Sequence, residues 1–257
     1  MVSLGAACRS QLPVPPGFGI EVELVNAVVA GSLPASHSVK QTFGQMETAV
    51  AVRSSAVGED SSDASFAGQH DSIMNVRDEN GVIDAIIQVY RSAHTESAYA
   101  YREKVGVSSD ARIAVAIQAQ LSSEKAGVLF TRNPVNGTDE RYIEVAWGLG
   151  ESVVAGMVVP DTYRLGAWAD RCEILSREIG EKDVMLVLND DGGTDEVEVS
   201  PELIESPCLS DAELADLHRL ALDCEASHGK NLDIEFAFYR GKVYLLQCRT
   251  ITIIHEL

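Results

Sequence analysis

The sequence has little of what would assign it quickly. No apolar run approaches the ~20 residues of a membrane span, and no basic stretch precedes an apolar core at its start, as a secretory leader would require. Five cysteines (Cys8, Cys172, Cys208, Cys224, Cys248) make no C-x-x-C pair, so they suggest neither a zinc site nor a disulfide framework and suit reduced thiols. The six histidines show no metal-ligand spacing. There is no Walker A sequence and no G-x-G-x-x-G fingerprint. No serine or cysteine nucleophile constellation, fixed-period repeat or low-complexity block stands out. Cations are scarce: 20 Lys and Arg stand against 39 Asp and Glu, a formal net charge of −19. That argues against nucleic acid and anionic membrane as partners, since both need clustered positive charge. The expectation is a soluble, cytoplasmic protein.

What is present is an ordinary globular composition, 46% apolar and 23% charged, in 257 residues that suit one large or two small domains. Consecutive prolines make Leu12-Pro-Val-Pro-Pro-Gly-Phe18 a stiff, extended entry. A short strand and helix are expected over residues 19–30, and a connector over 31–45. Thr48–Arg53 reads as a buried strand, and Val82–Val105 carries a helical stripe. Strands are expected over Arg112–Leu121, Ala126–Thr131 and Tyr142–Ala146, and a β meander over Cys172–Val199. Ser210 with Glu213 is a capping box for a helix that Gly229 stops. Helices and strands mix without regular β-α-β alternation, so the fold class expected is α+β.

The final hairpin carries the strongest chemical signal. Asp233 and Glu235 alternate on one strand and share a face, and a turn at Arg240-Gly241-Lys242 returns a strand whose Gln247 and Arg249 share a face too. Two carboxylates, an amide and a guanidinium are the groups that hold a divalent metal and the phosphates it bridges. A solvated hairpin face would also display them, but Ile234, Phe236, Phe238, Leu245 and Leu246 make this hairpin core-forming. Elsewhere, Arg53 ends a strand just before Ser54-Ser55, where its fork could clamp phosphate oxygens or pair with Glu59 or Asp60. Gly68 in Ser65-Phe-Ala-Gly-Gln69 would let loop amides approach a phosphate. Gly148-Leu-Gly-Glu151 reads as a tight turn, and Gln118 and Gln120 edge either a purine pocket or a cross-strand hydrogen-bond pattern.

Taken in order, these pieces resemble a known family. Val14-Pro-Pro-Gly-Phe18, Ala51-Val-Arg-Ser-Ser-Ala56, Asp63-Ala-Ser-Phe-Ala-Gly-Gln69, Gly127-Val-Leu-Phe-Thr131, Gly148-Leu-Gly-Glu151, Pro160-Asp161 and Asp233-Ile-Glu235 with Gln247-x-Arg249 follow one another as in the N-terminal ATP-grasp domain of pyruvate phosphate dikinase, phosphoenolpyruvate synthase and rifampicin phosphotransferase. The likeness runs from about residue 3 to residue 252. It implies an ATP-grasp fold of two α+β subdomains with the nucleotide site between them: a shortened N-terminal subdomain over 1–110 and a C-terminal one with the metal-binding hairpin over 111–257. It also implies ATP and Mg2+ as cofactors. Arg53, Arg249 and Asp233 would serve the transferring phosphates, and Glu235 with Gln247 would hold magnesium. Gly68 and Gln69 would belong to the phosphate loop, with Gln118, Gln120 and Glu151 among the other nucleotide contacts.

The family pattern differs in three places. In the family a Gly-Lys pair precedes V-P-P-G-F and its lysine touches ATP phosphates; here that position falls just before Met1, and Arg9 stands at another spacing. The stretch from Phe18 to Ala49 is shorter than usual. Family enzymes continue into a swivelling phosphohistidine domain, for which His255 is a poor substitute. The implied activity is therefore phosphoryl passage from Mg-ATP to a histidine on a separate domain or chain. The alternatives are a degenerate, inactive nucleotide-binding or regulatory module and, third, a kinase of small molecules.

Overall fold

The computed structural model describes residues 2–56, 72–104, 111–168 and 171–251. After helix α1 (Val2–Arg9) come β1 (Gly17–Ile20), α2 (Val22–Val29), α3 (Leu33–Phe43), β2 (Val50–Ala56), β3 (Ser72–Val76), α4 (Glu79–Ser92), α5 (Glu96–Lys104) and β4 (Ile113–Ala119). There follow β5 (Lys125–Phe130), β6 (Glu140–Trp147), α6 (Glu151–Val154), β7 (Asp161–Gly166), β8 (Ile174–Glu178), β9 (Val184–Leu188) and β10 (Thr194–Glu198). The described chain closes with α7 (Pro201–Ile204), α8 (Asp211–His228), β11 (Leu232–Tyr239) and β12 (Lys242–Thr250). The α+β class is what the sequence led us to expect.

Two compact units form. The first comprises residues 16–120 and 188–194; its sheet runs β1-β4-β2-β3, and Val50, Val52, Val115 and Ile117 face a core shared with α2, α3 and α4. The second comprises residues 2–15, 121–187 and 195–257, with a sheet ordered β12-β11-β5-β6-β7-β8. Its core gathers Leu129, Ile143, Val145, Tyr163, Ile234 and Phe236 against α8. The division falls after Gln120, whereas the sequence reading drew it after residue 110, because β4 hydrogen-bonds to both β1 and β2.

Local chemistry explains most elements. In α8, Ser210 Oγ accepts from Glu213 N and the Glu213 carboxylate accepts from Ser210 N, the expected capping box, and Leu214, Leu217, Leu220, Ala221 and Cys224 are buried. The 31–45 segment, expected as a connector, contains α3: Ser32 caps it, Pro34 lies in its first turn, and Ala35, Val39 and Phe43 repeat every four residues into the core. The single stripe expected over 82–105 is two helices, with Thr95 Oγ accepting from Ala98 N at the start of the second. The expected meander over 172–199 also divides. β8 joins the large sheet, while β9 and β10 pair only with each other.

A buried carboxylate explains that division. Asp161 accepts from Gly180 N at 3.0 Å, Cys208 N at 2.7 Å, the Tyr163 hydroxyl at 3.1 Å and Lys182 Nζ, drawing the chain after β8 away from the sheet edge. Lys182 and Asp161 are both fully buried, and burial pushes the Tyr163 phenol up. Pro160-Asp161 is thus a structural motif. Removing one partner strands a buried charge, so Asp161→Ala is expected to lower unfolding free energy by about 3–5 kcal/mol. Urea denaturation followed by circular dichroism measures this; a loss under about 1 kcal/mol would contradict it.

Candidate functional site

The most built-up polar constellation lies on the hairpin β11–β12. Arg240 and Gly241 both take positive φ, 52° and 68°, in the two-residue turn between Tyr239 and Lys242. This closes the strands in a register that sets Asp233 opposite Arg249 and Glu235 opposite Gln247. Directly opposed residues share a face, so all four predicted side chains converge on one side. Ile234, Phe236 and Phe238 fill the core on the other. A β-bulge between Glu235 and Phe236 shifts the pairing by one residue just beyond the site.

The charges within this group are unevenly matched. Arg249 Nε and Nη2 both donate to Asp233 Oδ2, at 2.8 and 2.7 Å. Oδ1 of the same carboxylate is buried and accepts nothing. Burial raises the Asp233 carboxyl above its ordinary value; Arg249 pulls it down without cancelling that effect, and Glu235 adds to the rise. A buried, unsatisfied carboxylate oxygen next to a second carboxylate and an amide suits a hard cation that takes oxygen ligands. Magnesium fits this donor set, because it uses one or two carboxylates and leaves its other positions to water and phosphate. Among the described residues no three His, Cys, Asp or Glu side chains cluster to hold an ion by themselves.

The other predicted residues divide between the units. In the first, β2 pairs with β4 so that Ala51 faces Gln118 and Arg53 faces Ala116. Arg53 and Gln118 therefore lie diagonally on one face of the small sheet, opposite the Val50, Val52 and Ile117 core face. Gln118 is buried, and Gln120 N donates to Ala49 O at 2.8 Å as the strand ends. Gly17, directly opposite Gln118, leaves no room for a Cβ, which would meet Gln118 Cα at 2.9 Å. In the second unit Glu151 opens α6, half-buried. The turn before it is built for structure: Gly148 takes φ 77°, and Leu149 N donates to Leu186 O at 3.0 Å. Gly68, Gln69 and His255 lie outside the described residues.

The sequence reading missed how far this polar face extends. Tyr142, Glu144, Thr162 and Glu178 lie on it across β6, β7 and β8. The alternation of Tyr142 and Glu144 with core residues Ile143 and Val145 was the available signal.

The family described as "Pyruvate phosphate dikinase, AMP/ATP-binding domain" matches residues 33–256. A protein of Methanocaldococcus jannaschii described as a probable phosphoenolpyruvate synthase is 39% identical over 238 residues, covering 92% of this chain and 20% of its own length. The phosphoenolpyruvate synthase of Pyrococcus furiosus is 38% identical over 86% of this chain and 28% of its own. The rifampicin phosphotransferase of Streptomyces sviceus is 35% identical over 80% and 23%. The chain thus spans well under a third of the length of these three relatives. Among solved structures, D-alanine–D-alanine ligase from Bacillus anthracis complexed with ATP aligns over 97% of this chain and 54% of its own at 9% identity. Its TM-score of 0.42 is too low to bear on fold or ligand. Among the described residues no helix is long and apolar enough to cross a membrane.

Asp233 gives the site a pH signature. Its folded-state carboxyl is raised above an unfolded value of about 3.9, so folding favours the protonated form. The stability this contributes is present at low pH and is lost as pH rises through the folded value. Asp233→Asn cannot ionise. The variant is expected to be at least as stable as the wild type near neutral pH, with any advantage shrinking as the pH falls toward about 4. Urea denaturation across that range measures the difference; a wild type that gains on the variant as pH rises would reverse the sign.

Proposed function

The chain belongs to the pyruvate phosphate dikinase AMP/ATP-binding domain family, and on that premise we propose that it is an ATP-grasp domain that binds Mg-ATP through the polar face of β11–β12. Phosphoryl groups then pass to a histidine on a separate domain or chain. The observation that carries this reading is the convergence of Asp233, Glu235, Gln247 and Arg249 on one face, with Asp233 Oδ1 buried and unsatisfied.

In this reading Glu235 and Gln247 would hold magnesium, which would supply positive charge against the phosphates of the nucleotide. Asp233 fixes the Arg249 guanidinium through Oδ2, so Arg249 meets the phosphates without losing much side-chain freedom on binding. Arg53 grips phosphate oxygens with its planar fork. Gly68 and Gln69 contribute loop contacts, and Gln118, Gln120 and Glu151 further nucleotide contacts. Preorganised charge of this kind supplies most of the rate in phosphoryl transfer. Because the relatives extend far beyond the matched region, the acceptor histidine is assigned to another domain or chain.

Two measurements test this. By calorimetry, Glu235→Gln is expected to weaken magnesium-dependent ATP binding roughly tenfold or more with the fold retained, and Arg53→Lys to weaken it too, because an ammonium cannot reproduce the fork. Unchanged affinity in both folded variants would remove the assignment. Separately, γ- and β-labelled ATP should label an added swivelling histidine domain, while the chain alone transfers little. Rapid label release or self-phosphorylation by the chain alone would show the transfer scheme to be wrong.

A further inference from the structure

The register of the large sheet places one more carboxylate in line with the phosphate end. Gln247 opposes Glu235, Glu235 opposes Val128, Val128 opposes Glu144, and Glu144 opposes Thr162. These residues form one row across the polar face, because directly opposed side chains point the same way. We propose that Glu144 accepts the ribose hydroxyls of the bound nucleotide and so makes the site select ribonucleotides, a proposal that rests on the Mg-ATP reading above.

Distance is the first argument. Glu144 stands two strands from Glu235, so their backbones are roughly 10 Å apart. A nucleotide whose β- and γ-phosphates sit at Glu235 and Gln247 and which lies along the row brings its sugar to that separation before its base. Charge is the second. A carboxylate repels phosphate oxygens, whereas sugar hydroxyls are neutral donors that it can accept. Separation from the hairpin is the third: Val128 stands between Glu144 and Glu235 in the row, so the two carboxylates are not adjacent.

The carboxylate is also preset. The Tyr142 hydroxyl donates to Glu144 Oε1 at 3.3 Å, a bond that steadies the side chain while leaving acceptor positions for a ligand. Burial and the neighbouring Glu144 charge raise the Tyr142 phenol, which keeps it a donor at neutral pH. Val128, between the two glutamates, offers an apolar floor with no competing donor. The backbone beneath is fixed as well. A Cβ on Gly127 would overlap the Glu144 carbonyl oxygen, so β5 and β6 approach closely at this point.

The test compares ATP, 2′-deoxy-ATP, 3′-deoxy-ATP and magnesium tripolyphosphate by calorimetry on the wild type and on Glu144→Gln. The wild type should bind ATP about tenfold more tightly than at least one deoxy analogue. In Glu144→Gln that gap should close, chiefly by loss of ATP affinity, while tripolyphosphate, which has no ribose, binds both proteins equally. Equal wild-type affinity for ATP and both deoxy analogues would overturn the proposal without any variant having to fold. So would weakened tripolyphosphate binding in Glu144→Gln, which would move Glu144 to the metal end. If the wild type binds neither ATP nor tripolyphosphate, the nucleotide reading fails and this proposal with it. If it binds ATP without regard to the ribose, only the role of Glu144 fails.

Discussion

The period-two alternation of β11 is the constraint on which the candidate site depends. The strand is hydrogen-bonded along both edges, to β12 and to β5, so its register cannot drift without breaking two ladders. Ile234, Phe236 and Phe238 are fully buried in the core cluster. A slip of one residue would turn Asp233 and Glu235 into that core and expose the aromatic rings. The apolar side of the strand therefore fixes the polar side, and the side chains proposed to bind phosphate need no separate positioning element. The bulge after Glu235 ends the aligned stretch at the last site residue of the strand.

Two buried carboxylates show how differently this fold treats charge. Asp161 has four donors, one of them a fully buried lysine, and every observation at that position is accounted for by structure. Asp233 is also buried and has an arginine, yet both guanidinium contacts fall on one oxygen and the other is left with none. An incompletely satisfied buried network costs stability, and proteins tolerate it chiefly where a ligand completes it. The contrast supports the proposed site role of Asp233 on grounds independent of sequence similarity.

Much of this was legible in the sequence because the signals were local. The capping box at Ser210, the alternation of Asp233 and Glu235 with Ile234 and Phe236, and the turn at Arg240-Gly241 each depend on a few adjacent residues, and each appears in the structure. What was not legible depended on long-range pairing. Helix α3 was hidden because Ser32, Ser36 and Ser38 look like linker residues until the four-residue spacing of Ala35, Val39 and Phe43 meets a core. The split meander needed Asp161, which reaches across 19 residues to Gly180. Glu144 joins the site's row only through β5, whose pairing on both sides no local pattern announces. Cys248 lies between Gln247 and Arg249. It points into the core, and Cys224 hydrogen-bonds to it with a thiol held well above its ordinary range, so this pair packs as apolar groups.

The net charge of −19 poses the remaining physical question, since polyphosphate is repelled by an acidic surface. A few cations placed in advance can answer it if they are prevented from pairing elsewhere. Arg249 is restrained in this way, at the cost of a buried aspartate beside it. Asp233, Glu235 and Glu144 stand on the same face as Arg249. In the proposed Mg-ATP reading, these carboxylates would favour a divalent cation, whose charge would offset that of the phosphates. Under the proposal made above, Glu144, two strands away, extends that logic: a carboxylate that phosphate avoids would take the neutral end of the same molecule, and the row would set the direction in which the nucleotide lies.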